Sequence, residues 1–412
     1  MNWLRQIIRH LKINILLPIY QKGVVLRLRY KKRINVVFIA SSLPMWRYQN
    51  LYSLLSKHCR FNVSVVIVPP SAFSKEQQKY CINELVEYFT NQNVNYRLGL
   101  VGESSLDINR ELNPDLLFYP QPYLDLFREE FRYNNFRYKL LCYCPYAFWT
   151  ATGDWSYNLP LHNYAWKLFY STELHRSEAQ KIAFNKGRNV EVVGYPNADV
   201  FMNQSFKDIW KQQGVDKKRI IWAPHFTIFT GGLMEQSNFL WMASFMLEVA
   251  SRYSDCIQFV FKPHPRLYSE LVKHEDWGEE KAQLYYQKWA DGGNTQIETG
   301  EYVDLFMASD AMIHDCGSFS VEYHYSGNPV MFVSSDFENL VAEKGGFGQM
   351  AMHQHYIGKN QQDIIDFIDN VVLKGEDPMK EGREQFKKDY LLPPNGKTVA
   401  QNTMDILLKE LC

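Results

Sequence analysis

The chain has 412 residues, 46% hydrophobic and 15% aromatic, with 45 basic and 45 acidic side chains that cancel to zero net charge. That length exceeds what one hydrophobic core usually serves, so two domains of about 200 residues each are expected, and the apolar content excludes a disordered or coiled-coil chain. The seven cysteines form no CxxC pair and no zinc-site spacing, and their odd number fits a reducing cytosol.

Charge is uneven along the chain. Arg5, Arg9, Lys12, Lys22, Arg27, Arg29, Lys31, Lys32 and Arg33 all precede the first acid, Glu76. Trp3, Leu4, Ile7, Ile8, Leu11 and Ile15 are interleaved with them near helical spacing. Residues 1–32 are therefore read as a short basic amphipathic segment that associates with an anionic membrane surface; the alternative is a helix packed on the body with its charges solvated. No nucleic-acid motif accompanies the cations. No run approaches the roughly 20 apolar residues that span a bilayer, and no signal peptide is evident, so the expected location is cytoplasmic and peripheral at the inner face of the cell membrane.

Strand-like runs then alternate with helical patterns, the signature of parallel sheets covered by helices. Strands are predicted at 35–40, 63–68, 115–119, 139–144, 167–170 and 190–193, with the clearest helices at 49–58 and 75–90. This first domain covers 33–202. Cys142 and Cys144 alternate on one face of a strand, where core packing is expected in preference to a redox pair. The loop after the first strand holds Ser42, Trp46 and Arg47, and Tyr146 follows the strand at 139–144; these are the acceptor-side candidates, since aromatic and proline-rich linings suit a polyol or sugar.

Residues 203–218 are polar and read as a linker. The second domain, 219–395, has predicted strands at 219–223, 257–262, 295–298, 311–314 and 330–333, and 396–412 forms a C-terminal helix. Ligands in such sheets sit beyond the carboxyl ends of the strands, where strand order reverses. The residues there are polar and rich in His. Pro224-His225 ends the first strand, and His225 suits either a diphosphate ligand or a general base. Lys262-Pro263-His264-Pro265-Arg266 ends the second; its prolines hold His264 rigidly between two cations. Asp315-Cys316-Gly317-Ser318-Phe319-Ser320 opens a helix after the fourth strand, and its glycine and hydroxyls form a phosphate seat, or Ser318 or Ser320 is simply an N-cap. Glu322 either accepts from a ribose or sits favourably in the helix dipole. There is neither GxxxxGK[ST] nor GxGxxG, which argues against ATP hydrolysis and dinucleotide redox chemistry. No metal cluster or cofactor is implied.

Over residues 219–335 the chain resembles the CDP-glycerol glycerophosphotransferases. The residues that carry the resemblance are Ala223-Pro224-His225-Phe226, Lys262-Pro263-His264-Pro265, and His314-Asp315-Cys316-Gly317-Ser318 followed by Glu322-Tyr323. It implies a GT-B-like α/β fold of two facing Rossmann-like domains, the first binding acceptor and the second the nucleotide donor. It implies His264 and His225 as catalytic residues, and Lys262, Arg266, Asp315, Gly317, Ser318, Ser320 and Glu322 as donor-binding. The expected reaction is attack of an acceptor hydroxyl, on a cell-surface polysaccharide or lipid-linked acceptor, at the β-phosphorus of CDP-glycerol with release of CMP. The alternatives are a sugar-nucleotide-dependent glycosyltransferase of the same fold and a non-catalytic scaffold. The chain departs from the family in lacking its first-domain His-Gly-Thr signature, for which Pro145-Tyr146-Ala147 is the nearest positional substitute.

Overall fold

The computed structural model describes residues 2–102, 104–203, 205–229, 237–300, 302–317 and 319–412. Ser318 and residues 230–236 thus lie outside the described residues. The chain divides into two compact units, one of Met1–Asp199 with Tyr390–Cys412, the other of Val200–Asp389.

In the first unit the strands are β1 (Ile34–Ala40), β2 (Phe61–Ile67), β3 (Tyr96–Leu98), β4 (Leu116–Tyr119), β5 (Leu140–Tyr143), β6 (Lys167–Tyr170) and β7 (Val190–Val192). They form one parallel sheet in the order β3-β2-β1-β4-β5-β6-β7. Strand order reverses between β1 and β4, the Rossmann-like pattern. Both faces are covered, which is why these strands read as continuous apolar runs such as Val-Val-Phe-Ile-Ala in β1. Cys142 and Cys144 are buried and free, and burial pushes both thiols up.

The N-terminal segment is helical over Asn2–His10, Leu11–Leu16 and Leu17–Arg29, its middle turn wound as π-helix. One side packs on the unit through the buried residues Ile13, Val24, Val25 and Leu28, and Arg188 donates to Asn14 Oδ1 and to the Ile13 carbonyl. The other side leaves Leu4, Ile8, Leu11, Ile15, Ile19 and Leu26 exposed, spaced three, four or seven residues apart and so along one face. The packing of one side agrees with the alternative reading, a helix on the body of the protein, and the membrane reading concerns the exposed side. Among the described residues no helix is long and apolar enough to cross a membrane.

The second unit holds β8 (Lys218–Ala223), β9 (Ile257–Phe261), β10 (Thr295–Ile297), β11 (Ala311–His314), β12 (Val330–Val333) and β13 (Tyr356–Gly358). They too are parallel, in the order β10-β9-β8-β11-β12-β13, so β8 and β11 flank the reversal. Helix Phe239–Arg252 and helix Gly278–Asp291 cover one face, where Trp222, Phe239, Phe261 and Trp289 pack together.

Two expected boundaries move. Residues 203–218 pack as part of the second unit: Trp210 is 2% exposed and donates to the Leu305 carbonyl, and Gln296 bonds Ile209 and Lys211 on either side of it. The C-terminal helix Val399–Leu411 belongs to the first unit, where the Asp199 carboxylate accepts from the N–H groups of Val399 and Ala400 at 2.6 and 3.0 Å.

Candidate functional site

Three loops leave the carboxyl ends of β8, β9 and β11, and backbone geometry ties them together. The His264 N–H donates to the Pro224 carbonyl at 3.1 Å, joining the first two. Asp315 joins the third: its Oδ1 accepts from the His225 N–H at 2.6 Å, and its Oδ2 from the Ser237 hydroxyl at 2.8 Å and the Asn238 N–H at 2.6 Å. Burial pushes the Asp315 carboxyl up from its ordinary range, opposed by these three donors. Both of its oxygens are engaged by donors of the neighbouring loop, so Asp315 ties the loops after β8 and β11 together.

The result is a histidine pair. The imidazoles of His225 and His264 lie 4.9 Å apart between centroids, and the Phe226 ring contacts both at 4.3 and 4.4 Å. The Arg266 guanidinium stacks 4.0 Å over that same ring, a cation–π contact that leaves the head group near both histidines. His264 Nδ1 accepts from the Arg266 N–H at 3.1 Å, so the neutral tautomer carries its proton on Nε2. His225 Nδ1 is 2.9 Å from Thr227 Oγ1. Burial lowers His225 to about 4, with Arg266 adding to the effect. Burial lowers His264 to about 3, reinforced by His225, Arg266 and Lys262. At neutral pH both rings are uncharged. They meet an anion as N–H dipoles, and an anion placed beside them raises both pKa values.

The remaining donor candidates divide. Lys262 is 5% exposed and donates to the Gly300 carbonyl at 2.7 Å, so its charge steadies the segment after β10. Gly317 is exposed, and among the described residues beyond its chain neighbours a Cβ there would meet no atom within 4 Å, which favours a close approach to the backbone. Ser320 is 1% exposed and its hydroxyl donates to the Gly317 carbonyl at 2.6 Å, which closes the turn. Only one α-turn follows, Phe319–Glu322, before the helix tightens to 3-10 geometry, so the expected helix dipole is weak. Glu322 is 4% exposed and accepts from the Tyr302 hydroxyl.

On the acceptor side, Arg47 Nε donates to the Tyr146 carbonyl at 3.1 Å, bringing two candidates together. Trp46 departs from expectation: it is 5% exposed, packs edge-on against Phe38 and Phe89, and donates to Gln49 Oε1, which makes it core. Ser42 is 8% exposed at the end of β1.

The comparisons with known proteins follow this geometry. The sequence profile of the CDP-Glycerol:Poly(glycerophosphate) glycerophosphotransferase family matches residues 150–408. No curated protein matches the chain. Among solved structures, the fold resembles UDP-GlcNAc 2-epimerase from Neisseria meningitidis bound to UDP-GlcNAc, with TM-score 0.57 and 15% identity over 92% of this chain and 100% of that one. It equally resembles a variant of the wall teichoic acid polymerase TagF, with TM-score 0.57 and 15% identity over 100% of this chain and 98% of that one. At these identities the structural likeness establishes the fold, and the family rests on the sequence profile, which covers the whole histidine-bearing unit. The chain belongs to the CDP-glycerol:poly(glycerophosphate) glycerophosphotransferase family.

Proposed function

We propose that the protein transfers glycerol phosphate from CDP-glycerol to a hydroxyl of a polymeric or lipid-linked acceptor. The acceptor oxygen forms a bond to the β-phosphorus as its hydroxyl proton is lost to solvent, the bond from that phosphorus to the bridging oxygen breaks, and CMP departs with the electron pair. The observation that carries the reading is the His225/His264 pair at the strand reversal of the family-matched unit. His264 Nε2–H donates to the diphosphate, Arg266 supplies the nearby full charge, and the open backbone at Gly317 admits a phosphate oxygen. Oriented donors of this kind are usually the largest catalytic contribution, and removing one costs about 10²–10³ in turnover. The first unit, with Arg47 and Tyr146 together at its strand ends, is assigned to the acceptor.

The test is CMP release from CDP-glycerol in the presence of a glycerophosphate oligomer. The wild type is expected to turn over, and His264→Ala to lose at least about 100-fold with an unchanged melting profile. Retained turnover in that variant removes His264 from the mechanism. The lowered histidines add a second expectation. Donor binding at pH 7 draws protons onto the pair, so its calorimetric enthalpy should depend on the ionisation enthalpy of the buffer. Identical enthalpies in phosphate and Tris would show that neither ring gains a proton.

We further propose that the exposed face of the N-terminal helix rests on an anionic membrane, its apolar residues in the interface and Arg5, Arg9, Lys12 and Lys22 near the headgroups. Deleting the helix would uncover Val24, Val25 and Leu28, so substitution on the outer face is the cleaner experiment. A variant with Leu4, Ile8 and Ile15 changed to Ser should bind phosphatidylglycerol vesicles at least about tenfold more weakly, since each side chain forfeits interfacial burial at about 0.8 kcal/mol per methylene. Unchanged vesicle binding would remove this face from the contact.

A further inference from the structure

Behind the β11 loop the second unit buries an unusual group of side chains. His314, His324, His355 and Arg383 are all between 0% and 3% exposed. The rings of His314 and His355 lie 5.3 Å apart, and those of His355 and His324 4.8 Å apart. Arg383 Nη2 pairs with Asp377, while its Nε and Nη1, together with His314 Nε2, His324 Nδ1 and His355 Nε2, have no hydrogen-bond partner among the described residues. Phe332 stands edge-on to both His314 and His355 and closes the group on one side.

One atom of this group reaches the site. His314 Nδ1 lies 3.2 Å from the Cys316 N–H and 3.1 Å from the Cys316 carbonyl, so it bonds the Cys316 backbone in either neutral tautomer, accepting from the first or donating to the second, and the carbonyl also accepts from the Phe319 N–H. The side chain of residue 314 therefore closes a short ring onto the amide of residue 316, and the residue bracketed between them is Asp315. That closure fixes the backbone angles from which the Asp315 carboxylate is aimed at His225 and Asn238. Burial, with His355 beside it, holds His314 well below the ordinary histidine range, and Arg383 and His355 act the same way on His324. The ring is thereby kept neutral.

We infer that His314 is a positioning residue for donor binding: its Nδ1 holds the Cys316 backbone, and through the bracketed Asp315 it sets the histidine pair. The inference rests on the donor reading of that pair. The two nitrogens of the ring can be separated by substitution. His314→Asn places its amide near Nδ1 and can restore the contact with the Cys316 backbone through its oxygen or its NH2, whereas His314→Gln places its amide near Nε2 and loses that contact.

The experiment is a CDP-glycerol titration of the full chain and both variants, paired with amide exchange of the peptide spanning residues 311–322. The Gln variant is expected to bind about tenfold more weakly, the size of one hydrogen bond lost, and to exchange faster over that peptide. The Asn variant should stay within about threefold of wild type in affinity and keep its protection. Wild-type affinity and exchange in the Gln variant, or equal impairment in a folded Asn variant, would overturn the inference. Should the Gln variant not fold, the Asn variant decides alone, since it must keep wild-type values. If the wild type binds no CDP-glycerol, the donor reading fails, and the exchange measurement still decides whether Nδ1 holds the turn.

Discussion

Asp315→Ala is expected to be among the most damaging single substitutions in the second unit. It strips the acceptor from three donors at once, the N–H groups of His225 and Asn238 and the Ser237 hydroxyl. A buried donor left without a partner costs about 1–3 kcal/mol, so the loss should reach about 3 kcal/mol or more. CMP release should fall by at least about 100-fold as well, because His225 and the start of helix Phe239–Arg252 lose their shared anchor. Asp315→Asn keeps one acceptor oxygen and should fall between the two. A urea titration of all three proteins checks the stability claim. Should the Ala variant unfold at the wild-type midpoint, the carboxylate would not be the anchor its geometry indicates.

The second large effect is acid sensitivity. His162, His175, His225, His264, His314, His324 and His355 are all lowered, with burial as the leading cause. For a group lowered on folding, the unfolded chain binds the proton first, so stability is fully present above the unfolded value near 6.5 and is lost as pH falls toward the folded value. His162 sits at about 3, and His175 and His355 at about 4. Between pH 6.5 and pH 5 these three alone should remove roughly 2 kcal/mol each, a large share of the 5–15 kcal/mol typical of a domain. His162 and His175 are in the first unit and His355 in the second, so both should respond. Urea midpoints at pH 7, 6 and 5 should fall steeply; a flat profile would mean these imidazoles are protonated without cost in the native state.

Most of the sheet framework is legible from local pattern. Strands such as β1, β9 and β12 are apolar runs bounded by turn residues, and burial on both faces of a parallel sheet is what makes them so. β3 and β13 escape that reading because each has only three residues, and of the six only Gly358 is buried. The polar stretch before β8 looks like a linker because its composition is that of exposed chain; its attachment through Trp210 and Gln296 is made with residues about 85 to 95 positions away. The C-terminal helix has a clear N-cap at Thr398, yet its membership of the first unit depends on Asp199, some 200 positions earlier.

For the site, position was readable and direction was not. Spacing after β8, β9 and β11 places His225, His264 and Asp315 at one end of the sheet, but it cannot say that the Asp315 carboxylate turns back onto the neighbouring loop. Lys262, Ser320 and Glu322 likewise occupy the expected positions while bonding Gly300, Gly317 and Tyr302. Trp46 follows a strand as a ligand platform would, and the pocket formed by Phe38 and Phe89 captures it instead. The His314 group was invisible for a related reason: its members come from β11, from the segment after Glu322, from the turn before β13 and from the helix at Lys380–Phe386, and only the fold assembles them.

The central claim is that the histidine pair of the second unit binds the diphosphate of CDP-glycerol. Equilibrium titration of CDP-glycerol and of UDP-GlcNAc into the full chain and into His264→Ala tests it most directly. The account predicts saturable binding of CDP-glycerol, at least about tenfold weaker in the folded variant, and no comparable binding of UDP-GlcNAc. Saturable binding of UDP-GlcNAc with none of CDP-glycerol, or equal CDP-glycerol affinity in wild type and variant, would contradict it.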